Sequence, residues 1–116
     1  MNVKLASLMR RIQKFARDRD WEQFHTPKNL AMAMSVEVSE VVEIFQWLTE
    51  SESRNLAKGK VAELADELAD TYIYLLKLAD QFDIDLNAAA ALKLRKNAIK
   101  YPISKARGSA KKYTEL

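Results

Sequence analysis

Apolar positions recur along most of this chain at helical spacing. Leu5, Leu8, Met9, Ile12 and Phe15 follow steps of three and four, which puts them on one side of a helix predicted from about Asn2 to Arg17. The charged stretch Asp18 to Asp20 ends it. WEQFHTPKN reads as a loop in which Thr26 is suited to cap the next helix and Pro27 to open it, where the missing N–H costs nothing. In that second helix, predicted from Pro27 to about Leu48, the positions Leu30, Met34, Glu37, Val41, Ile44 and Leu48 advance by four and three. TESESRNLAKGK reads as a polar connection. A third helix, from about Lys60 to Gln81, is apolar on almost every side, with Val61, Leu64, Leu68, Tyr72, Ile73, Leu75, Leu76 and Leu78. A helix of that kind is covered all round. Four short helices cannot easily surround one of their own number, so a subunit partner is expected to cover part of it. Asp85 or Asn87 caps a fourth helix from about Leu86 to Lys100, and Pro102 stops it. The remainder, YPISKARGSAKKYTEL, has no sustained periodicity.

Composition narrows the class. A chain of 116 residues, 48% hydrophobic and 30% charged, suits one domain with a modest core. Two glycines and two prolines leave too few turn-makers for many short strands, so the expected fold is all-α. The absence of cysteine excludes disulfides, thiolate zinc sites and a cysteine nucleophile, and it fits a reducing cytoplasm. Arginines interrupt every apolar run of MNVKLASLMRRIQKFARDRDW, unlike a secretory signal, and no window has the apolar length of a membrane span. A soluble cytoplasmic protein is expected. The net charge of +3 is unevenly placed: residues 93–116 carry eight Lys/Arg against one acid, whereas residues 1–92 carry eleven against fifteen. The basic tail implies an anion. Its basic residues are not interleaved with several aromatics, which ranks a phosphorylated small molecule above nucleic acid.

The candidate chemistry lies in two acidic pairs. Glu37 interrupts the apolar stripe of the second helix, and Glu40 stands one turn above it on the same side. ELADELAD repeats the arrangement on the third helix with Glu67 and Asp70. Carboxylates crowded in a partly dry core repel one another, and a hard divalent cation removes that penalty. Oxygen-only ligands suit magnesium or manganese, and magnesium completes its shell with water and substrate phosphates. A single Glu-x-x-Glu on a helix is ordinarily a solvated face; two on consecutive apolar stripes are not so readily dismissed. Four-carboxylate bundles that bind two irons add Glu-x-x-His pairs, and the one histidine, His25, stands in a loop outside both acidic motifs. On the fourth helix Lys93 and Asn97 share a face suited to phosphate and sugar, although a solvated face accounts for their spacing equally well. Trp21, Trp47 and Tyr74 offer surfaces on which a base can stack, and periodicity alone does not separate that role from ordinary core packing.

The strings RDWEQFHTPKNLAMAMSVEVSEVVEIFQWL, ELADELADTYIYLLKLAD and KNAIKYPISKARGSAKKYTEL together resemble the MazG-like nucleotide pyrophosphohydrolases, in particular their dCTP pyrophosphatase-like branch, from about Arg17 onward. The resemblance implies a single domain over residues 1–116, with about 103–116 a basic tail, and a four-helix core completed by dimerisation and commonly assembled into a tetramer. It implies that Glu37, Glu40, Glu67 and Asp70 hold Mg2+ against a nucleoside triphosphate, with Mn2+ a substitute, and that Glu37 or Glu40 accepts the proton of the attacking water. Trp21, Trp47 and Tyr74 match positions that enclose base and sugar, and Lys93 and Asn97 match positions that touch phosphate and sugar. His25 also matches a motif position. Some animal relatives place a histidine near the base where this chain has Ile12, so their cytosine preference does not transfer directly. The implied reaction converts a nucleoside triphosphate, dCTP or a modified deoxynucleotide among them, to monophosphate and pyrophosphate, cleansing the nucleotide pool. The competing expectation is a non-catalytic helical dimerisation module with a basic tail.

Overall fold

The computed structural model describes residues 3–116; Asn2, the predicted start of the first helix, lies outside them. No strand occurs among the described residues, and the all-α expectation holds. The chain divides after Asp83 into two compact units.

The first unit contains α1 (Val3–Asp18), α2 (Pro27–Phe45), a short α3 (Glu50–Ser53) and α4 (Lys58–Asp80), with one 3-10 turn at Glu22–Phe24. Its principal packing is α2 along α4, with α1 also against α4. The buried side chains are those the helical periodicity aligns: Met9, Ile12 and Ala16 from α1, Leu30 and Ile44 from α2, and Leu76 and Ala79 from α4. Leu30 is wholly buried.

Local chemistry sets the helix ends. At the end of α1, Asp20 adopts a left-handed backbone (φ 54°), the Asp20 N–H bonds to the Arg17 carbonyl at 3.0 Å, and the Trp21 N–H reaches back to the Ala16 carbonyl at 2.9 Å. This is a Schellman closure with aspartate in the position glycine usually takes, a tolerated exception because its short polar side chain suffers least there. It folds Trp21 back over the helix it has just left. Thr26 caps α2 as expected, accepting from the Asn29 N–H at 3.3 Å, and the Asn29 side chain donates to the Phe24 carbonyl at 2.9 Å.

Two boundaries differ from the sequence reading. The second helix stops at Phe45 instead of Leu48, and the polar connection contains α3. Both follow from a capping box: Thr49 accepts from the Glu52 N–H at 3.1 Å, and the Glu52 carboxylate accepts from the Thr49 N–H at 2.9 Å. That reciprocal pair satisfies two otherwise orphaned donors and starts a new helix so close to α2 that α2 must end first.

The second unit holds α5 (Leu86–Lys100), α6 (Ile103–Ala106) and a 3-10 turn at Tyr113–Glu115. Of the two candidate caps, Asp85 is the one used, accepting from the Ala88 N–H at 3.2 Å. The tail is not featureless. Tyr113 packs edge-to-face on Tyr101 with ring centroids 5.9 Å apart, and the Lys100 ammonium lies 4.9 Å from the Tyr113 ring centre.

The expected covering of the third helix is not supplied by this chain alone. Val61, Leu68, Tyr72 and Leu75 advance by seven, four and three along one face of α4, and each is exposed. Replacing Leu30 with alanine removes a fully enclosed side chain and should lower stability by about 2–5 kcal/mol in denaturant unfolding. Thr49→Ala should cost only about 1 kcal/mol, since it loses a cap and no packing. If the two variants proved equal, the assignment of the core to the α2–α4 seam would be wrong.

Candidate active site

The packing of α2 against α4 brings the two acidic pairs face to face. Glu37, Glu67 and Asp70 each offer one carboxylate oxygen, and these oxygens lie within 4.8 Å of one another. Glu40 joins through Glu67, with which it shares a hydrogen bond. Three of the four, Glu37, Glu40 and Glu67, are half-buried, whereas Asp70 is exposed at the open side. Glu37 Oε2 and Glu67 Oε2 are buried without a hydrogen-bond partner.

The electrostatic consequence is unequal. Glu67 is pushed up to about 7, first by its hydrogen bond with the Glu40 carboxyl, then by burial and by the charges of Glu40 and Glu37. Burial raises Glu37, and the charges of Glu40 and Asp70 raise it further. The cluster therefore retains a proton that isolated carboxylic acids would lose. A cation at the cluster relieves the same strain by another route. All candidate ligands are carboxylate oxygens, the donor set of a hard divalent ion, and the two orphaned buried oxygens are the atoms such an ion would satisfy. The residues fit a divalent metal.

Beside the cluster lies a cavity of about 390 Å³, whose lining includes Asp70 together with Arg11, Ile12, Trp21, His25, Tyr74 and Lys77. Its aromatic rings meet edge-to-face in a series: Phe15 to Trp21 at 5.7 Å, Trp21 to His25 at 6.2 Å, and His25 to Tyr74 at 6.3 Å between centroids. Tyr74 ties this wall to the acidic cluster. Its phenol is raised by burial and by the charges of Glu37 and Asp70, one turn away on the same helix face. Trp21 reaches the cavity because of the Schellman closure of α1, and the Gln81 side chain, donating to the His25 carbonyl, fastens the loop to the end of α4.

The structure thus brings together seven of the ten residues singled out from sequence: the four acids, Trp21, His25 and Tyr74. His25 stands outside both acidic motifs in sequence, yet it lines the same cavity as Asp70. Trp47 is not among the residues lining that cavity; α2 ends before it, and its side chain is 87% exposed. Lys93 and Asn97 belong to the second unit, on α5, with Lys93 exposed and Asn97 half-buried. Sequence reasoning passed over Lys77. A lysine two turns beyond Asp70 on a helix apolar nearly all round was the available signal, since a charge retained on such a stripe is as conspicuous as Glu37.

Residues 32–116 match the MazG-like family. Human dCTP pyrophosphatase 1 is 43% identical over 114 residues, which cover 97% of this chain and 67% of the human protein. The bovine dCTP pyrophosphatase 1 has the same identity over 97% of this chain and 68% of its own. A crystal structure of a pyrophosphatase from Archaeoglobus fulgidus superposes with a TM-score of 0.82 at 38% identity, covering 88% of this chain and 95% of that one. With the family pattern over residues 32–116, relatives 43% identical over 97% of the chain and a matching all-helical fold, this chain belongs to the MazG-like family.

Proposed function

We propose that this nucleotide pyrophosphohydrolase is magnesium-dependent and converts a deoxynucleoside triphosphate, with dCTP or a modified form of it the first candidate, to the monophosphate and pyrophosphate. The observation that carries this reading is the adjacency of a strained carboxylate cluster and an aromatic-walled cavity of nucleoside size. Mn2+ is the natural substitute, since it accepts the same oxygen ligands. The whole chain acts as one domain in this reading, which the family match supports by running through both compact units.

Glu37, Glu40, Glu67 and Asp70 would hold the cation. When bound, it supplies charge neutralisation to the triphosphate and makes the leaving pyrophosphate a better leaving group. The chain's own residues do the rest. Glu37 or Glu40 accepts, at a carboxylate oxygen, the proton of the water whose oxygen bonds to the α-phosphorus as the bond to the bridging oxygen breaks. Trp21 and Tyr74 offer flat and edge contacts for base and sugar, and Trp47 belongs to the same proposal on its motif position. Lys93 and Asn97 rest on the motif alone.

The bare stripe of Val61, Leu68, Tyr72 and Leu75 supports a homodimer, or a tetramer built from it, because an apolar face of this extent on the main helix is ordinarily covered by a second copy. No helix among the described residues is long and apolar enough to cross a membrane. A cytoplasmic setting, where the nucleotide pool lies, completes the proposal.

Pyrophosphate release from a panel of deoxy- and ribonucleoside triphosphates, with and without Mg2+, tests the reaction. Release should require metal, and Glu40→Gln should lower turnover by about 10²–10⁴-fold, the usual worth of a proton acceptor. No release from any triphosphate by the folded native protein would leave the non-catalytic helical module as the better account.

A second expectation concerns pH. Because Glu67 sits near 7 when folded against an ordinary value of 4.5, its protonation favours the folded state. Its contribution is fully present below about 4.5 and is lost as pH rises through about 7. The melting temperature of metal-free protein should therefore fall across that window, Glu67→Gln should flatten this component, and Mg2+ should stabilise more at pH 8 than at pH 5. Equal stabilisation by Mg2+ at both pH values would count against metal at this cluster.

A further inference from the structure

The segment from Asp20 to Thr26 carries Trp21 and His25 into the cavity wall, and nearly all of its hydrogen bonds are local. The Trp21 N–H returns to the Ala16 carbonyl, the His25 N–H bonds to the Glu22 carbonyl at 3.1 Å, and Gln23 Nε2 donates to the Asp20 carbonyl at 3.1 Å and to its carboxylate at 2.9 Å. The Asn29 side chain holds the Phe24 carbonyl. These bonds shape the segment and join it to α1 and α2, but none sets its distance from α4. Among the described residues, one hydrogen bond does so: Gln81 Nε2 donates to the His25 carbonyl, across 56 positions of sequence.

The helix places Gln81 for this contact. Gln81 is the C-cap of α4, with its backbone N–H bonded to the carbonyls of Lys77 and Ala79. Its backbone is therefore set by the same helix that carries Asp70 eleven residues earlier, about 16 Å along the axis. Next to it, Asp80 accepts from Gln13 Nε2 at 3.0 Å, which ties α1 to the same point. Glu22, His25, Lys77, Asp80 and Gln81 together line a second, polar cavity of about 360 Å³. The charges there attract without closing. Glu22 and Asp80 favour the charged form of Lys77 against its burial, yet Lys77 forms no ion pair among the described residues. The segment is fastened to α4 by a neutral amide and not by a salt bridge. His25 also lines the aromatic cavity, where its ring stands between those of Trp21 and Tyr74 at 6.2 and 6.3 Å, so a displacement of its backbone moves the middle of that wall.

Building on the nucleotide reading above, we propose that Gln81 is a positioning residue, whose amide holds the Trp21–His25 segment at a fixed distance from the acids carried by the same α4 helix. Gln81 lies outside the lining of the aromatic cavity and acts through the His25 main chain. Its bond sets the span between the phosphate end of the site and the wall that meets the nucleoside. Without it the segment keeps its local shape but no longer its place, and nucleotide binding bears the cost while the acids that act on the phosphates stay where α2 and α4 hold them.

The test uses Gln81→Met, which keeps the length of the side chain and removes the donor, and Gln81→Arg, which restores one. Gln81 is exposed, so both variants should fold. Binding of the four deoxynucleoside monophosphates by titration calorimetry needs no turnover, and steady-state hydrolysis of the triphosphates separates KM from kcat. Gln81→Met should weaken monophosphate binding and raise KM about fivefold, the size of one lost hydrogen bond, with kcat changed much less. Gln81→Arg should recover most of the loss. The chain has one histidine, so its imidazole proton resonances identify His25 directly. Burial, aided by the Lys77 charge and opposed by Glu22, holds His25 below its ordinary 6.5, and in Gln81→Met its titration should move up toward that value. A folded Gln81→Met protein with unchanged monophosphate affinity, KM and His25 titration overturns the proposal, as does a fall in kcat with KM unaltered. Failure of Gln81→Arg to restore KM also counts against it. If Gln81→Met weakens monophosphate binding while the native protein releases no pyrophosphate, the hydrolase reading fails and the positioning role of Gln81 stands.

Discussion

Mutual repulsion among Glu37, Glu40, Glu67 and Asp70 is the constraint around which this structure is organised. α2 and α4 pack along each other because their apolar stripes interlock, and each stripe is interrupted by acids at the level where the other is. Separating the helices would relieve the charges but expose the core residues Leu30, Ile44 and Leu76. The helices stay together, and the cost appears as a proton held by Glu67 and as two buried oxygens without partners. A seam that is uncomfortable alone is suited to a divalent ion and the phosphate oxygens that accompany it.

α4 also acts as the ruler of the site. Asp70, Tyr74 and Lys77 occur at successive turns on one face, so acid, aromatic and cation are spaced by helix geometry and not by loop conformation. The opposite wall depends on a short segment that has to be pinned. The left-handed Asp20 turns Trp21 back, Asn29 holds the Phe24 carbonyl, and Gln81 holds that of His25. Rigid elements thus carry the acids, while three local hydrogen-bonding devices fix the aromatic wall.

The same helix is poorly covered on another face. The core comprises a few side chains drawn from α1, α2 and α4, while Val61, Leu68, Tyr72 and Leu75 remain open. A small chain that devotes part of its central seam to carboxylates has less apolar surface to bury within itself, which gives a second copy a physical reason to contribute.

The helical class, most helix limits, the Thr26 cap, and the pairing of Glu37 with Glu40 and of Glu67 with Asp70 were legible in the sequence alone, which left the cap of the fourth helix open between Asp85 and Asn87. These are local consequences of periodicity and capping chemistry, readable from neighbours three or four residues away. It also carried the Thr49–Glu52 capping box in plain view, although surrounding polarity made the stretch read as a connection. It took the packing of the helices to show that the two acidic pairs face each other, that Trp21 and His25 converge with Tyr74, that Lys77 lines the same cavity, and that Trp47 stays outside it. Those facts depend on which helices pack and on one left-handed residue at the end of α1. Contacts between residues tens of positions apart leave no periodic trace in a single chain, because their spacing is set by the packing of surfaces and not by the repeat of the helix.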